Sequence, residues 1–383
     1  MSKKKVSICI SSLGLGGAEE IIVRLANSAA QNWEVDVLLV QRCNEDVERV
    51  NSLSSDVRLR TIFPRTSGTK SIEFRLKNLL AYLLSPLLAI YAWFFLGVSQ
   101  AQVVHVNLTQ FSLMSVFWAF LAKISCRKVS FVQTFHTNLH LLRNWQRIVF
   151  RISWQVCEKL VVEIDEDEVG RVSKFVHPSK ILFIPFAVPK VIAYSRCRYA
   201  SVAEPLVFGS LARVRLFEKK YDLILDALRI LKERGLPFLY LIGGDGPDME
   251  KVQSLVVLYG LEDRVSLLGF VANPNDFFVK IDCLVVATVS YETGICGLQA
   301  LQAGVPLVGV NTISDGAGVI TGASVSPDKA MELANSAEDL AVMLEGLIVN
   351  RGLEKYYSAL CREKCQYLDD TKMMERYRVE VFD

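Results

Sequence analysis

Short apolar runs recur along this chain, each followed by a turn and then a helical pattern. Strand-like runs at 6–11, 35–40, 58–62, 103–106, 128–134 and 160–164 fill the first half. Helical spacing separates them, as in 18–31, where Ile21, Ile22, Leu25, Ala26 and Ala29 share one face. Parallel strands need a long crossover, usually a helix, so this alternation selects βαβ units and a parallel sheet. Residues 188–204 interrupt it with Pro189, polar residues and a cluster of Arg and Tyr, which reads as a linker. The alternation then restarts. Strands are expected at 206–209, 238–242, 265–268, 283–287 and 306–310, helices at 223–234, 249–259 and 298–303, and a final helical pattern at 371–382. A length of 383 residues suits two such domains.

Composition narrows the class. Hydrophobic residues make up 51% and the net charge is +2, so two large cores are available and no nucleic-acid footprint is present. Nine cysteines without a CxxC pair read as reduced thiols in a cytoplasmic protein. Lys3, Lys4 and Lys5 lead at once into the first strand, a run too short for a signal-peptide core.

Residues 79–98 carry no charge and are long enough to cross a bilayer as one helix, with Arg75 and Lys77 before them. A crossing would put the strand at 103–106 on the far side of the membrane and split the sheet. The expectation is therefore a helix partly in the core and partly seated in a membrane surface, with the apolar stretch 111–124 beside it.

Four segments place chemistry-bearing residues at strand ends. The turn Gly14, Leu15, Gly16, Gly17 follows the first strand; Glu19 breaks the G-x-G-x-x-G spacing, which argues against a nicotinamide cofactor. His136 ends the run 128–134, with His140 as a weaker neighbour. Asp165, Glu166 and Asp167 spell a DxD, but acidic residues there fit a first helical turn, with Asp165 as N-cap and Glu168 as its capping-box partner. The stretch 291–306 follows a buried strand with a carboxylate, Glu292, and a glycine, Gly294, and becomes a helix ending at Gly304 and Pro306. A helix that starts where a parallel strand ends offers free N–H groups and a positive dipole end to an anion.

This last stretch resembles the signature of the retaining glycosyltransferases of family four: Glu, a glycine three residues on, four residues, a second Glu followed by Ala, and Gly-x-Pro at the helix end. The turn Gly16, Gly17, Ala18, Glu19 is similar to that family's first loop. Arg213 and Lys219, six apart, match its two basic residues, Gly244 with Pro247 its strand-end turn, and Phe270 with Val271 the turn that holds a nucleotide base. The resemblance runs from Leu13 to about Phe382. It implies the GT-B fold: α/β, two Rossmann-like domains facing across a cleft. Residues 1–190 would bind the acceptor, 191–365 the nucleotide sugar, and the helix in 366–383 would return to the first domain.

The resemblance also implies roles. His136 and Glu292 become the candidate catalytic residues at the transferred sugar. Arg213, Lys219, Gly16 and Gly17 would face the donor diphosphate, with Arg215 a stand-in for Arg213. Gly244, Phe270, Val271, Gly294, Ile295 and Gln299 would face nucleotide or sugar. Two fixed cations would stabilise the leaving diphosphate, with neither metal nor cofactor required. The implied reaction moves a sugar, with retention, from a UDP- or GDP-sugar to a hydroxyl of a lipid-linked glycan in surface polysaccharide synthesis. The enzyme would be cytoplasmic and peripheral at the inner face of the cytoplasmic membrane. Three departures stand against the pattern. Gln299 replaces the second Glu; Glu292 precedes it by seven residues, so either the loop is shorter or Tyr291 takes the aligned place; and Lys220 stands where the family often has Gly. They motivate the alternative of a catalytically decayed binding or scaffold subunit.

Overall fold

The computed structural model describes residues 3–14, 17–42, 47–65, 72–107, 109–136, 139, 142–163, 166–185, 187–188, 204–287, 294–310, 336–350 and 370–382. They form two compact units, one of Met1–Phe186 with Thr371–Asp383 and one of Ala187–Asp370.

The first unit holds a seven-stranded parallel sheet. Its strands are β1 (Lys5–Ile10), β2 (Glu34–Leu39), β3 (Val57–Thr61), β4 (Val103–Asn107), β5 (Ser130–Phe135), β6 (Lys159–Val162) and β7 (Ile181–Phe183), in the order β3-β2-β1-β4-β5-β6-β7. The inner strands β1, β2 and β4 are almost continuously buried, as a sheet covered on both faces requires. The connecting helices are α1 (Gly17–Ala30), α2 (Val47–Asn51), α3 (Ile72–Leu83), α4 (Ser85–Phe95), α5 (Thr109–Ile124), α6 (Asn144–Val156) and α7 (Glu166–Val172). β7, at the sheet edge, is only three residues long and half-buried, too short to stand out as a strand in the sequence.

The single helix expected over 79–98 is corrected to two. α3 and α4 meet at an angle of 89° around Leu84. Pro86 sits in the first turn of α4, where its missing N–H costs nothing, while inside a longer helix it would remove a hydrogen bond. Ser85 Oγ takes up the carbonyls of Ala81 (2.7 Å) and Tyr82 (2.6 Å) at the break. Among the described residues no single helix is long and apolar enough to cross a membrane. Ala81, Ala89, Ala92 and Trp93 face the core with Phe111 and Trp118 of α5. Leu79, Leu83, Leu87, Phe94 and Phe95 remain exposed.

The second unit has a five-stranded parallel sheet in the order β10-β9-β8-β11-β12: β8 (Leu206–Leu211), β9 (Phe238–Gly243), β10 (Val265–Gly269), β11 (Cys283–Ala287) and β12 (Leu307–Val310). Helices α8 (Tyr221–Glu233), α9 (Met249–Leu258), α10 (Pro274–Phe278), α11 (Gly294–Gln302) and α12 (Ala337–Val349) connect and cover it. α8 shows the logic: Tyr221, Ile224, Leu225, Leu228 and Leu231 recur at helical spacing and are buried against the sheet. The chain ends in α13 (Asp370–Arg376) and a π-helical turn (Tyr377–Phe382), both in the first unit. The proposed linker residues 189–203 lie outside the described residues.

Candidate functional site

In each sheet the strand order reverses once, between β1 and β4 in the first and between β8 and β11 in the second. Open α/β sheets bind ligands outside the carboxyl ends of the strands flanking such a reversal.

In the first unit, β4, β5 and β6 are neighbours in register, with Asn107 opposite Thr134 and Phe135 opposite Val162. The register therefore brings Asn107, His136 and Glu163 to one edge, each a polar residue ending an apolar strand. Their side chains are joined. His136 Nδ1 lies 2.6 Å from Glu163 Oε2 and Nε2 lies 2.6 Å from Asn107 Oδ1. The other carboxylate oxygen of Glu163 accepts from Tyr377 Oη at 2.5 Å. Tyr377 Oη is 3.3 Å from Thr134 Oγ1, which is 2.6 Å from His105 Nε2. Glu163, Tyr377 and His105 are fully buried and the His136 side chain is 5% exposed. Burial pushes the Tyr377 phenol well up, with the Glu163 charge adding to it. It pushes His105 down to about 3, reinforced by His136 nearby, so this ring is neutral at any working pH.

Gly17 opens α1 directly beyond β1; Gly16 and His140 lie outside the described residues. The first turn of α1 carries Glu19 and Glu20, which already complement the dipole of that terminus. Asp165 lies outside the described residues, and the Glu168 carboxylate is engaged by the Leu139 N–H (2.7 Å) and Arg171 (2.8 Å).

In the second unit, Arg213 follows β8 and is exposed; Lys219 is half-buried just before α8. Among the described residues neither has a carboxylate partner, whereas Arg215 is taken by Glu218 at 2.7 Å. The loop carrying Arg213 is fixed by backbone bonds from Ala212 N to Gly243 O (3.0 Å) and from Val214 N to Asp245 O (3.0 Å). Asp248 adds a bond to the Leu216 N–H at 3.1 Å. Gly244 has φ +124°, and a Cβ there would stand 1.9 Å from the Ala212 carbonyl oxygen. This glycine faces the Arg213 loop and lets it approach. Gly244 N also donates to Gly269 O at 2.7 Å, which sets the turn carrying Phe270, 48% exposed, and Val271.

Lys220 adopts φ +46°, the left-handed region where glycine is unstrained. A glycine would meet this backbone without strain, and this chain meets it with a lysine. α11 begins at Gly294, and Ile295, Cys296 and Gly297 give a first turn without a carboxylate. Gln299, in the middle of that helix, is 8% exposed. Tyr221, at the start of α8, has a buried hydroxyl with no hydrogen-bond partner among the described residues; burial raises its pKa, and Cys296 of α11 adds to the effect. Tyr291 and Glu292 lie outside the described residues. Among the described residues no group of His, Cys, Asp and Glu could hold a metal ion.

The structure thus brings Arg213, Lys219, Gly244, Phe270 and Val271 to one set of loops in the second unit, and His136 to the strand edge of the first. Asn107, Glu163 and Tyr377 were not singled out from the sequence. The signal for the first two was the one that marked His136, a polar residue closing an apolar strand. Tyr377 gave none, because in a helical pattern with Met373 and Met374 it reads as core.

Residues 205–342 match the family Glycosyl transferases group 1. The chain is 30% identical over 139 residues to a 2-deoxystreptamine glucosyltransferase of Streptomyces kanamyceticus, covering 34% of this chain and 35% of the relative. It is 29% identical over 159 residues to the putative colanic acid biosynthesis glycosyltransferase WcaL of Escherichia coli, covering 39% and 38%. The matched stretch thus spans little more than a third of these relatives. The structure of Anabaena Alr3699/HepE in complex with UDP and glucose superposes with a TM-score of 0.73 at 14% identity, covering 99% of both chains. That likeness shows the fold, which is α/β and GT-B.

Proposed function

From the match of residues 205–342 to the group 1 glycosyltransferases, we propose that the chain transfers a sugar, with retention, from a nucleotide diphosphate sugar to a hydroxyl of a lipid-linked glycan. The observation that carries this reading is the pair Arg213 and Lys219, without carboxylate partners among the described residues, on a loop locked by Gly244. Fixed cations, with a helix terminus free of carboxylates elsewhere in the same unit, suit a diphosphate whose negative charge grows as the glycosidic bond breaks. In this reading the second unit takes the UDP- or GDP-sugar. Gly294 and Ile295 meet the phosphates, Phe270 and Val271 the base, and Gln299 the ribose. His136 and Glu292 act at the sugar. The first unit takes the acceptor, with Gly16 and Gly17 leaving the backbone bare for it or for the phosphate.

The lipid-linked acceptor is supported by the α3–α4 pair. Leu79 (53%), Leu83 (67%), Leu87 (64%), Phe94 (63%) and Phe95 (72%) are exposed there, with Phe120 (63%) and Ile124 (64%) on α5. Exposed apolar side chains in this number, with Arg75, Lys123 and Arg127 on the same helices or beside them, suit the headgroup region of an anionic bilayer. The cytoplasmic membrane face is the corresponding site of action. Co-sedimentation with vesicles containing phosphatidylglycerol is expected, and is expected to be lost in the Phe94→Asp, Phe95→Asp variant; a protein that never pellets would remove the membrane from the reading.

The donor site is tested by thermal shift of the purified chain against UDP, GDP, ADP and CMP. A ligand bound only by the folded state raises its midpoint. One nucleotide is expected to do so, and Arg213→Ala and Lys219→Ala to abolish the effect. No shift with any of them, from folded protein, would favour a binding or scaffold subunit.

A further inference from the structure

The polar chain beneath His136 contains more than a core needs. A buried carboxylate is costly unless paired, and replacing such a pair by well-packed apolar residues is often neutral or stabilising. Here both oxygens of Glu163 are used, one by His136 Nδ1 at 2.6 Å and the other by the Tyr377 hydroxyl at 2.5 Å. Tyr377 is itself fixed. Its ring packs against those of His105 and Phe382, its hydroxyl reaches Thr134, and the turn that carries it is held to β6 by a bond from Lys159 Nζ to the Glu380 carbonyl. Arg376, one residue before, donates to the Phe183 carbonyl of β7 at 2.8 Å.

From this geometry we infer that Glu163 and Tyr377 are positioning residues for His136, so that the C-terminal turn is a working part of the site. An ionised carboxylate only accepts, so Glu163 places a proton on Nδ1 and sets the tilt of the ring, while the Asn107 amide beside Nε2 accepts through Oδ1 or, turned over, donates through Nδ2. Tyr377 in turn fixes the carboxylate and rules out its rotation away from the imidazole. The ring then has one orientation relative to the strand edge, set from a segment more than 200 residues away in sequence. Nε2, which lies 2.6 Å from Asn107 Oδ1, is the atom that would turn from Asn107 to a reacting sugar, and fixing the ring in advance is what lets that hydrogen bond gain strength in the transition state.

This inference rests on the reading of His136 as acting at the transferred sugar, so its test has an arm independent of turnover. In full-length protein labelled with 15N-histidine, the His136 ring is assigned by its loss in His136→Ala. Wild type is expected to show a strongly downfield Nδ1 proton. Tyr377→Phe, which removes a single oxygen, is expected to shift that proton, and Glu163→Gln to lose it. In hydrolysis of UDP-glucose and GDP-glucose, read as nucleoside diphosphate released, both variants are expected to lower kcat about 10- to 100-fold, the effect of one lost hydrogen bond to a charged group. KM and the nucleotide-induced thermal shift should be unchanged. In a His136→Ala background neither substitution should lower kcat further. Ring signals identical to wild type in both variants, or losses that add to that of His136→Ala, would overturn the inference. If the wild type turns over neither donor, the glycosyl-transfer reading is at fault and the ring signals alone decide the positioning.

Discussion

The strand edges of the two units are built in opposite ways. In the first, His136 is held at both ring nitrogens and every member of the chain through Glu163, Tyr377, Thr134 and His105 is buried. In the second, Arg213 is exposed and Lys219 half-exposed, and the order lies in the backbone that carries them. A site whose charges are satisfied internally fixes an orientation. A site whose charges lack partners waits for an anion. Substitution should therefore cost both stability and activity at the first edge, and activity alone at the second.

The largest effect is expected from His136→Ala, which leaves the buried Glu163 carboxylate without its cationic or N–H partner. Removing one member of a buried pair typically costs about 3–5 kcal/mol, to be read as a lower urea midpoint at unchanged m-value. Arg213→Ala should leave that midpoint within about 0.5 kcal/mol of wild type, as exposed substitutions do. Equal destabilisation by the two would dissolve the contrast. In turnover the second edge is as sensitive as the first. Arg213→Ala and Lys219→Ala should each lower kcat about 10²- to 10³-fold, the range for removing one group that stabilises developing negative charge. A variant with wild-type kcat would show that its cation does not meet the leaving group.

Gly244→Ala tests the backbone side of the comparison. Its φ of +124° and the 1.9 Å approach of the Ala212 oxygen leave no room for a methyl group, so the Arg213 loop must move. A cost of about 1–3 kcal/mol in stability is expected, together with a raised KM for the donor. A raised KM without loss of stability would mean that the glycine meets the ligand directly.

The first edge also carries a pH signature. The buried His105 ring keeps its neutral form down to about pH 3, whereas in the unfolded chain it protonates near 6.5. Between those values the unfolded state binds the extra proton, so stability is fully present above about pH 6.5 and falls as the pH drops. The slope is at most about 1.4 kcal/mol per pH unit. Urea unfolding of wild type and His105→Gln at a series of pH values from about 7 to 5, above the carboxylate range, should show the wild-type slope reduced in the variant. Parallel curves would remove His105 from the account.

Much of this was legible in the sequence, for a local reason. A buried parallel strand is mostly apolar and its crossover helix amphipathic, so most of both sheets could be read from the sequence, the three-residue β7 excepted. Arg213, Lys219 and Gly244 were legible because they belong to turns adjacent in sequence to those strands. The chain from His136 to Tyr377 was not, since its contacts join residues 27 and 214 apart and depend on strand order and on where the C-terminal turn docks. The break between α3 and α4 was hidden differently: an uncharged stretch reads as one helix, and only the placement of Pro86 in a first turn divides it.

The smallest effect expected is also the one that most finely separates backbone from charge. Lys220 holds φ +46° in the position where the resembling family has glycine. A non-glycine residue there carries strain on the order of 1 kcal/mol, partly offset in a glycine variant by the larger entropy of the unfolded chain. Lys220→Gly should therefore raise stability by a few tenths to about 1 kcal/mol. If the lysine is present only because the turn tolerates it, donor KM and kcat will not change. If turnover falls while stability rises, the strain is maintained for the charge, and Lys220 joins Arg213 and Lys219 as a third cation at the anion-binding edge. If stability falls instead, the side chain contributes packing that outweighs its backbone strain, and the second edge is more like the first than its exposed arginine suggests.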